Sequence, residues 1–468
     1  MINPGNHELV GTISHGGAED VVAAIDAASA AEAQWAATPV AERCTIVKRW
    51  GDLMMENKED LGKILTIEQG KPWAEAMGEI AYAASFFKFY GENGAELLHG
   101  EVLQTATVKN PVMMVAEKDP VGMVGAITPW NFPSAMITRK AAAALVAGCT
   151  FIVKPSELTP YSALACAVLA KEAGVPAGVF NVVCGEAKEI GEELTSNPLI
   201  KKITFTGSTR VGKLLLQQAA GTVKRVSMEL GGNAPFIIFD DADIELAVKQ
   251  AVMGKMRNAG QTCVSPNRFL VHSSVYDTFT KKMAEAVSAL KVGYGMDEGV
   301  QVGPLINSAA VEKVERHVQD AVSKGAKVLC GGKRWAPENQ DLQKSQYFLP
   351  TVLVDCTPDM LCFKDETFGP LVPCFRFTTE EEAIKLANGV PFGLASYFFT
   401  ENADRQRRVA RALQYGMVAC NNGSVSSAVA PFGGVKESGI GREGSKFGID
   451  EYVSVKAVHT NLHHMNKL

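Results

Sequence analysis

At 468 residues the chain exceeds what a single hydrophobic core serves, so two or three domains are expected. Apolar residues make up 47% and charged residues 21%, the balance of an ordinary globular protein, and a net charge of −5 is spread without any basic stripe. That distribution excludes nucleic acid and anionic membrane surfaces as expected partners.

The opening Met1–Glu8 has neither a basic n-region nor an apolar h-region, so no signal peptide is expected. From about Val21 to Leu98 the pattern is helical, with Met77, Ile80, Ala84 and Phe87 on one helix face. Val102–Val108 and Pro111–Lys118 flank the turn signal Asn110-Pro111 and predict a β-hairpin outside the main alternation, a placement that suits assembly of subunits. The most apolar stretch, Ala141 to Val153, is broken by Gly148 and falls short of the roughly 20 residues of a membrane span.

From Val121 short apolar strands alternate with helices: Val121–Ile127, Ala135–Val146, Phe151–Val153, Tyr161–Glu172, Phe180–Val183, Glu189–Ser196, Ile203–Phe205, Ser208–Ala220 and Val223–Met228. This is the signature of βαβ units and a parallel sheet, whose ligands bind at the carboxyl ends of strands. Pro129-Trp130-Asn131, Lys154-Pro155-Ser156-Glu157, Gly207-Ser208 and Glu229 stand at such ends. A second α/β run begins near Pro235, with Phe279, Met283, Ala286 and Leu290 marking one amphipathic helix. No repeat or low-complexity linker separates the two runs, so the domains are expected to be pressed together around a cleft.

Asn258-Ala259-Gly260-Gln261-Thr262-Cys263 follows a predicted helix (243–257) and precedes a predicted strand, Asn267–His272. The other nine cysteines lie in helix or strand patterns, where a thiol is a small core residue. A cysteine in a Gly-containing turn reads as plain loop or as a nucleophile, and the segment alone leaves both open. Ten cysteines without a CxxC pair point to reduced thiols and a cytoplasmic setting.

Gly207-Ser-Thr-Arg-Val-Gly212-Lys213 nearly matches a P-loop, but Leu214 stands where a hydroxyl must meet magnesium. What remains is a helix start that could meet a pyrophosphate or simply be capped. No dinucleotide glycine fingerprint follows a strand of this run. Lys154 and Glu157 form a solvated pair or grip a ribose diol; in the second case the carboxylate repels a 2′-phosphate and favours NAD over NADP. Glu229 is a candidate general base with a raised pKa, or a surface glutamate; Asn131 is an oxyanion donor, or an Asx-turn. None of the eight histidines adjoins Cys263 and no metal-spaced cluster is present, so no metal is expected. The tail His463-His464 reads as a solvated end.

Taken together, seven collinear segments resemble the aldehyde dehydrogenase superfamily: Pro129–Pro133, Val153–Glu157, Phe205–Thr209, Met228–Asn233, Gly260–Cys263, Glu366–Pro370 and Pro431–Gly434. The resemblance implies that the Cys263 thiolate attacks an aldehyde and that Asn131 and the Cys263 N–H hold the oxyanion. Hydride then passes to the nicotinamide, and Glu229 activates the water that releases the acid. It places Glu366 and Phe368 at the nicotinamide ribose and Lys154, Glu157 and Ser208 at the adenosine end. Thr128, Pro129, Trp130, Ser156, Gly207, Gly212 and Leu230 are the further cofactor contacts it implies. Members that pass the acyl group to coenzyme A lack the glutamate matching Glu229, so its presence implies hydrolysis.

Within the superfamily the chain is most similar to the succinate semialdehyde dehydrogenases, through Ala135–Lys140, Lys255–Asn258 and Gly434–Lys446. The positions matching Arg139, Arg257 and Ser426 bind the distal carboxylate there, a task that suits the planar fork of arginine. The rival for either arginine is an ordinary salt bridge. Ser265 stands where some relatives carry a second, switch-forming cysteine, so that disulfide is not expected here. Relatives preferring NADP tend to have a small residue in place of Glu157. The N-terminus begins almost at the family's Asn-Pro segment, so an opening strand is expected to be missing.

The expected fold class is α/β, with a parallel-sheet, Rossmann-like NAD-binding domain (1–103 and 119–231), an α/β catalytic domain (232–446) and a small β oligomerisation element (104–118 and 447–468). The expected activity is oxidation of a short carboxylated aldehyde, succinate semialdehyde, with NAD (NADP possible) in a cytoplasmic homodimer or homotetramer. Glutarate semialdehyde, another aliphatic aldehyde, or a non-catalytic structural role are the rivals.

Overall fold

The computed structural model describes residues 1–103, 112–338 and 340–461. The N-terminal helical stretch divides into α1 (Ala18–Ala37), α2 (Val40–Glu56), α3 (Lys58–Gln69) and α4 (Trp73–Leu97). Pro39 and Pro72 stand at the N-caps of α2 and α4, where a missing N–H breaks no helical bond, and Gly70 (φ 94) closes α3 in the left-handed region. Ile80, Ala84 and Phe87 of the predicted stripe are buried, and Met77 is half-buried at its edge.

Strands β1 (Glu101–Leu103) and β2 (Val112–Pro120) run antiparallel with Glu101 opposite Ala116, the pairing expected of the hairpin. Its predicted turn lies outside the described residues, as do 104–111 generally.

The alternating run forms β3 (Met123–Ile127), α5 (Ala135–Ala147), β4 (Phe151–Lys154), α6 (Pro160–Glu172), β5 (Phe180–Val182), α7 (Ala187–Ser196), β6 (Ile200–Thr206), α8 (Thr209–Ala219) and β7 (Arg225–Glu229). Strand β6 begins three residues before its apolar run because Lys202 is buried there, its charge met by Glu451 at 3.1 Å. The five strands are parallel, in the order β5-β4-β3-β6-β7. From β3 the chain steps one way through β4 and β5, then the other way through β6 and β7. The crevice beyond the ends of β3 and β6 is therefore a topological switch point, where such sheets bind ligands. Helices α2, α4 and α5 pack together against one face, and every residue of α5 is buried. Val21, Ile25, Ile190, Leu194 and Leu215 from α1, α7 and α8 fill the other face.

The second run supplies β8 (Ala234–Ile238), α9 (Ile244–Met256), β9 (Pro266–His272), α10 (Tyr276–Ser288), α11 (Ser308–Ser323) and β10 (Lys327–Cys330). After a short ribbon of β11 (Arg334–Trp335) and β12 (Tyr347–Phe348) come β13 (Thr351–Cys356), β14 (Leu371–Phe377), β15 (Ala395–Phe399) and β16 (Met417–Cys420). They form a seven-stranded sheet, β10-β13-β14-β9-β8-β15-β16, parallel except for the β10 edge. Phe279 and Met283 of the predicted amphipathic helix are core residues, whereas Leu290 lies beyond the end of α10.

Two late strands return to earlier sheets. Strand β17 (Gly439–Ile440) pairs antiparallel with β7, Gly439 opposite Glu229, although it lies inside the range expected for the second domain. Strand β18 (Val453–Asn461) runs along the whole of β2, making a three-stranded sheet with β1. His463-His464 lies outside the described residues. No helix among the described residues is long and apolar enough to cross a membrane.

Candidate active site

Beyond α9 the chain turns sharply, with Asn258 (φ 53), Ala259 (φ 52) and Gly260 (φ 76) all left-handed. For the two non-glycine residues this costs on the order of 1–3 kcal/mol each, which surrounding contacts must offset. Here the Asn258 N–H donates to Glu75 at 2.7 Å, and the Asn258 amide donates to the carbonyls of Asn131 (3.0 Å) and Gln261 (3.2 Å). The buried Gln261 amide donates back to Asn258 O at 3.0 Å and accepts from Ile306 N at 2.9 Å. The strained turn is thus held from several sides, and Cys263 emerges from it half-buried. Gly232 lies against the Cys263 carbonyl, where any Cβ would collide with that oxygen. Burial pushes the Cys263 thiol up to about 12; Arg139 and Arg257 pull it down, while Glu366 and Glu229 add to the rise. The Cys263 backbone N–H has no acceptor among the described residues.

Asn131 follows β3 and is 4% exposed. Its Nδ2 donates to Gln261 O at 3.0 Å, which uses one of its two hydrogens and leaves the other for a ligand. Glu229, the last residue of β7, is 3% exposed and neither carboxyl oxygen has a hydrogen-bond partner. Burial, then the Glu443 charge, raises its pKa well above the carboxylate range, against the pull of Arg139, Lys140 and Arg442. Gly433 (φ 157) lets the Pro-Phe-Gly-Gly segment press onto this group, for a Cβ there would lie 2.9 Å from Glu229 Oε1.

A cavity of about 370 Å³ opens at the switch point and reaches Cys263. Pro129, Trp130 and Asn131 line it from the end of β3, Gly207 and Ser208 from the end of β6, and Leu230, Glu366 and Phe368 from the facing segments. Ser208 caps α8, its Oγ accepting from Val211 N at 3.4 Å. Trp130 and Phe368 meet edge to face with centroids 5.6 Å apart. Glu366 accepts from Gly232 N at 2.9 Å, and burial lifts its pKa to about 7. Thr128, just after β3 and just before Pro129, donates its N–H to the carbonyl of Lys154, the last residue of β4, at 3.1 Å. Lys154 pairs with Glu157 at 3.0 Å, and the Thr128 hydroxyl is buried without a partner. A helix start, the Glu366 carboxylate and an aromatic wall, lining one cavity with the Cys263 thiol, suit a dinucleotide.

Five expected contacts do not line the cleft: Thr128, Lys154, Ser156, Glu157 and Gly212. Ser156 Oγ accepts from Leu158 N at 3.2 Å within its own turn, and Gly212 packs beneath the Leu230 side chain. The P-loop alternative fails, because Lys213 pairs with Glu437 at 2.9 Å on the surface. Gly439-Ile-Gly-Arg-Glu-Gly444 has a dinucleotide-like glycine spacing, but it runs as β17 and a bridge from Glu443 to Phe432, and none of its residues lines the cleft.

On the far side of Cys263 a second, small cavity is lined by Arg139, Arg257 and Ser426, the three residues expected at a distal carboxylate. Arg139 does make an ion pair, but in the interior and not on a helix surface. Its Nε donates to the buried Glu443 carboxylate, yet its Nη2 is buried with no partner. Arg257 has no hydrogen bond or ion pair among the described residues and faces the Phe132 ring at 5.1 Å. Residues that the sequence did not single out complete the frame. Glu443 binds Arg139 and Lys140 together, and Lys140 also donates to Thr206 Oγ1 at 2.7 Å.

The profile of the aldehyde dehydrogenase family matches residues 1–458. The chain is 52% identical over 456 residues to the NADP(+) succinate-semialdehyde dehydrogenase of Escherichia coli K12, covering 97% of this chain and 93% of that protein. It is 53% identical over 454 residues to a glutarate-semialdehyde dehydrogenase of Pseudomonas aeruginosa, covering 97% and 92%. The crystal structure of a succinate-semialdehyde dehydrogenase from Burkholderia pseudomallei superposes with a TM-score of 0.95 at 54% identity, covering 98% of this chain and 94% of that one.

Proposed function

The chain belongs to the aldehyde dehydrogenase family, and from that premise we propose that it oxidises succinate semialdehyde, a short carboxylated aldehyde, to the dicarboxylic acid with NAD. The observation that carries the substrate reading is the small cavity beside Cys263, where Arg257 is unpaired and Arg139 keeps a free Nη2. Two guanidinium groups on one space whose lining holds no carboxylate suit a carboxylate at the far end of the substrate. Glutarate semialdehyde is the near alternative, since one methylene changes binding by only about 1–3 kcal/mol.

In this reading Cys263, once deprotonated, attacks the aldehyde carbon, and its own N–H with the second Asn131 hydrogen holds the oxyanion. A bound NAD would supply the acceptor for the hydride that leaves the aldehyde carbon. The chain is left as a thioester at Cys263. Glu229 takes a proton from water as the oxygen adds to the thioester carbon, and the C–S bond breaks to release the acid and return the Cys263 thiolate; a carboxyl free of hydrogen bonds is able to swing to that task. Trp130, Gly207, Ser208, Leu230, Glu366 and Phe368 would hold the cofactor in the cleft, with Thr128, Lys154 and Glu157 at its adenosine end. The Glu157 carboxylate favours NAD by opposing a 2′-phosphate.

The same reading divides the chain into an NAD-binding part (1–103, 119–231), a catalytic part (232–446) and an assembly element (104–118, 447–468). The exposed Val102 and Val455 on the β1-β2-β18 sheet suit a homodimer or homotetramer, and ten free cysteines suit the cytoplasm. The test is kcat/KM over aldehydes of graded length, with and without a terminal carboxylate, using NAD and NADP. Equal rates on charged and uncharged aldehydes would refute the substrate assignment.

A further inference from the structure

We propose that Tyr82 is a specificity-determining residue that donates its hydroxyl to the distal acid group of the aldehyde, a role that rests on the carboxylated-aldehyde reading. Tyr82 lies on α4, remote in sequence from every motif of the site. Its hydroxyl is buried and has no hydrogen-bond partner. It lines the same small cavity as Cys263, Arg139, Arg257 and Ser426.

A buried hydroxyl left unmet is costly, and packing alone would be served as well by phenylalanine. The ring is fixed edge to face against Phe86, with centroids 5.0 Å apart, so the hydroxyl cannot turn away cheaply. Two buried, unmet donors, the Tyr82 hydroxyl and Arg139 Nη2, thus belong to residues lining one cavity, which the half-buried Arg257 side chain also lines. A carboxylate offers about four lone-pair sites and can accept from all three. Burial raises the Tyr82 pKa against the pull of Arg139 and Arg257, which keeps the group a donor. Tyr82 and Ser426 also line an outer groove that contains Lys88. Tyr82 and Ser426 are thus shared by the groove and the cavity.

The test compares kcat/KM for succinate semialdehyde and for butanal, an uncharged aldehyde of the same chain length, in the full-length chain and its Tyr82→Phe variant. The ratio of the two is expected to fall about tenfold or more in the variant, mainly through KM, because a hydrogen bond to a charged group is lost. A wild-type chain with no preference for the charged aldehyde would sink the carboxylate reading itself. A wild-type preference that survives in Tyr82→Phe, or an equal loss on both aldehydes, would overturn the role of Tyr82 alone. The melting temperature of the ligand-free variant supplies a second readout: it should equal or exceed that of the wild type. A marked fall would show that the hydroxyl serves the protein and overturn the proposal.

Discussion

Lys71 Nζ donates to the main-chain oxygen of Asn131 at 2.8 Å, across sixty positions of sequence. The same ammonium pairs with the buried Glu79 carboxylate and lies 3.9 Å from the centre of the Phe132 ring. The second Glu79 oxygen accepts from Ser134 N at 3.0 Å and Ala135 N at 3.3 Å, the first amides of α5. One ion pair at the α3–α4 corner thereby fixes both the loop that carries Asn131 and the helix that carries Arg139.

Replacing Lys71 by methionine should cost about 3–5 kcal/mol of stability, since it leaves the Glu79 charge buried and unpaired. The measurement is the urea midpoint and slope. A variant as stable as the wild type would mean that the pair does not hold this corner.

Glu229→Gln should separate the two halves of the reaction. A burst of about one NADH per site is expected in the first turnover, followed by a steady state slower by about 10²–10⁴-fold. Stopped-flow absorbance reads both. Loss of the burst would assign Glu229 to the first half instead.

The pH dependence follows from two raised pKa values. Burial pushes Cys263 up to about 12 and holds Glu229 well above the carboxylate range, and each acts only in its deprotonated form. Alkylation of the ligand-free thiol by iodoacetamide should therefore climb about tenfold per pH unit from pH 7 to 9 without a plateau. Steady-state rates should rise across the same window. Saturating NAD, with its cationic ring, should speed the alkylation. A plateau below pH 8 in the ligand-free chain would contradict the environment described for Cys263.

The proposed role of Glu157 in the choice of cofactor is open to a direct test. Burial opposes its charge, but its own backbone amide and Lys154 outweigh that and hold the carboxyl below its ordinary value, so it meets an incoming nucleotide as an anion. Glu157→Ala should raise kcat/KM for NADP relative to NAD about tenfold or more, by removing the repulsion and freeing Lys154. Unchanged preference would move the discrimination elsewhere.

The α/β alternation was legible because strands buried on both faces read as continuous apolar runs, and it blurred only where Lys202 interrupted one. The two-residue β17 had no such signal. Cys263, Asn131 and Glu229 stood out because each belongs to a short local motif. Glu443, Lys71, Glu79 and Tyr82 did not, since nothing in a sequence separates a buried glutamate or lysine from a solvated one. The partners that bury them lie far away; Arg139 and Glu443 are 304 positions apart. Glu366 was legible as a motif member, but its contact with Gly232 N joins residues 134 positions apart and emerges only in the folded chain.

The return of β17 to β7 also sets a timetable for synthesis. The strands of the first sheet emerge from the ribosome more than two hundred residues before Gly439, and until it arrives the edge of β7 has unpaired backbone groups. Leu230 N likewise waits for the carbonyl of Ser438, 2.9 Å away in the finished chain. A nascent chain halted before residue 438 would present an open sheet edge ending in Glu229, a template for pairing with another chain. The last tenth of the sequence thus closes the end of an edge that the first sheet presents until then.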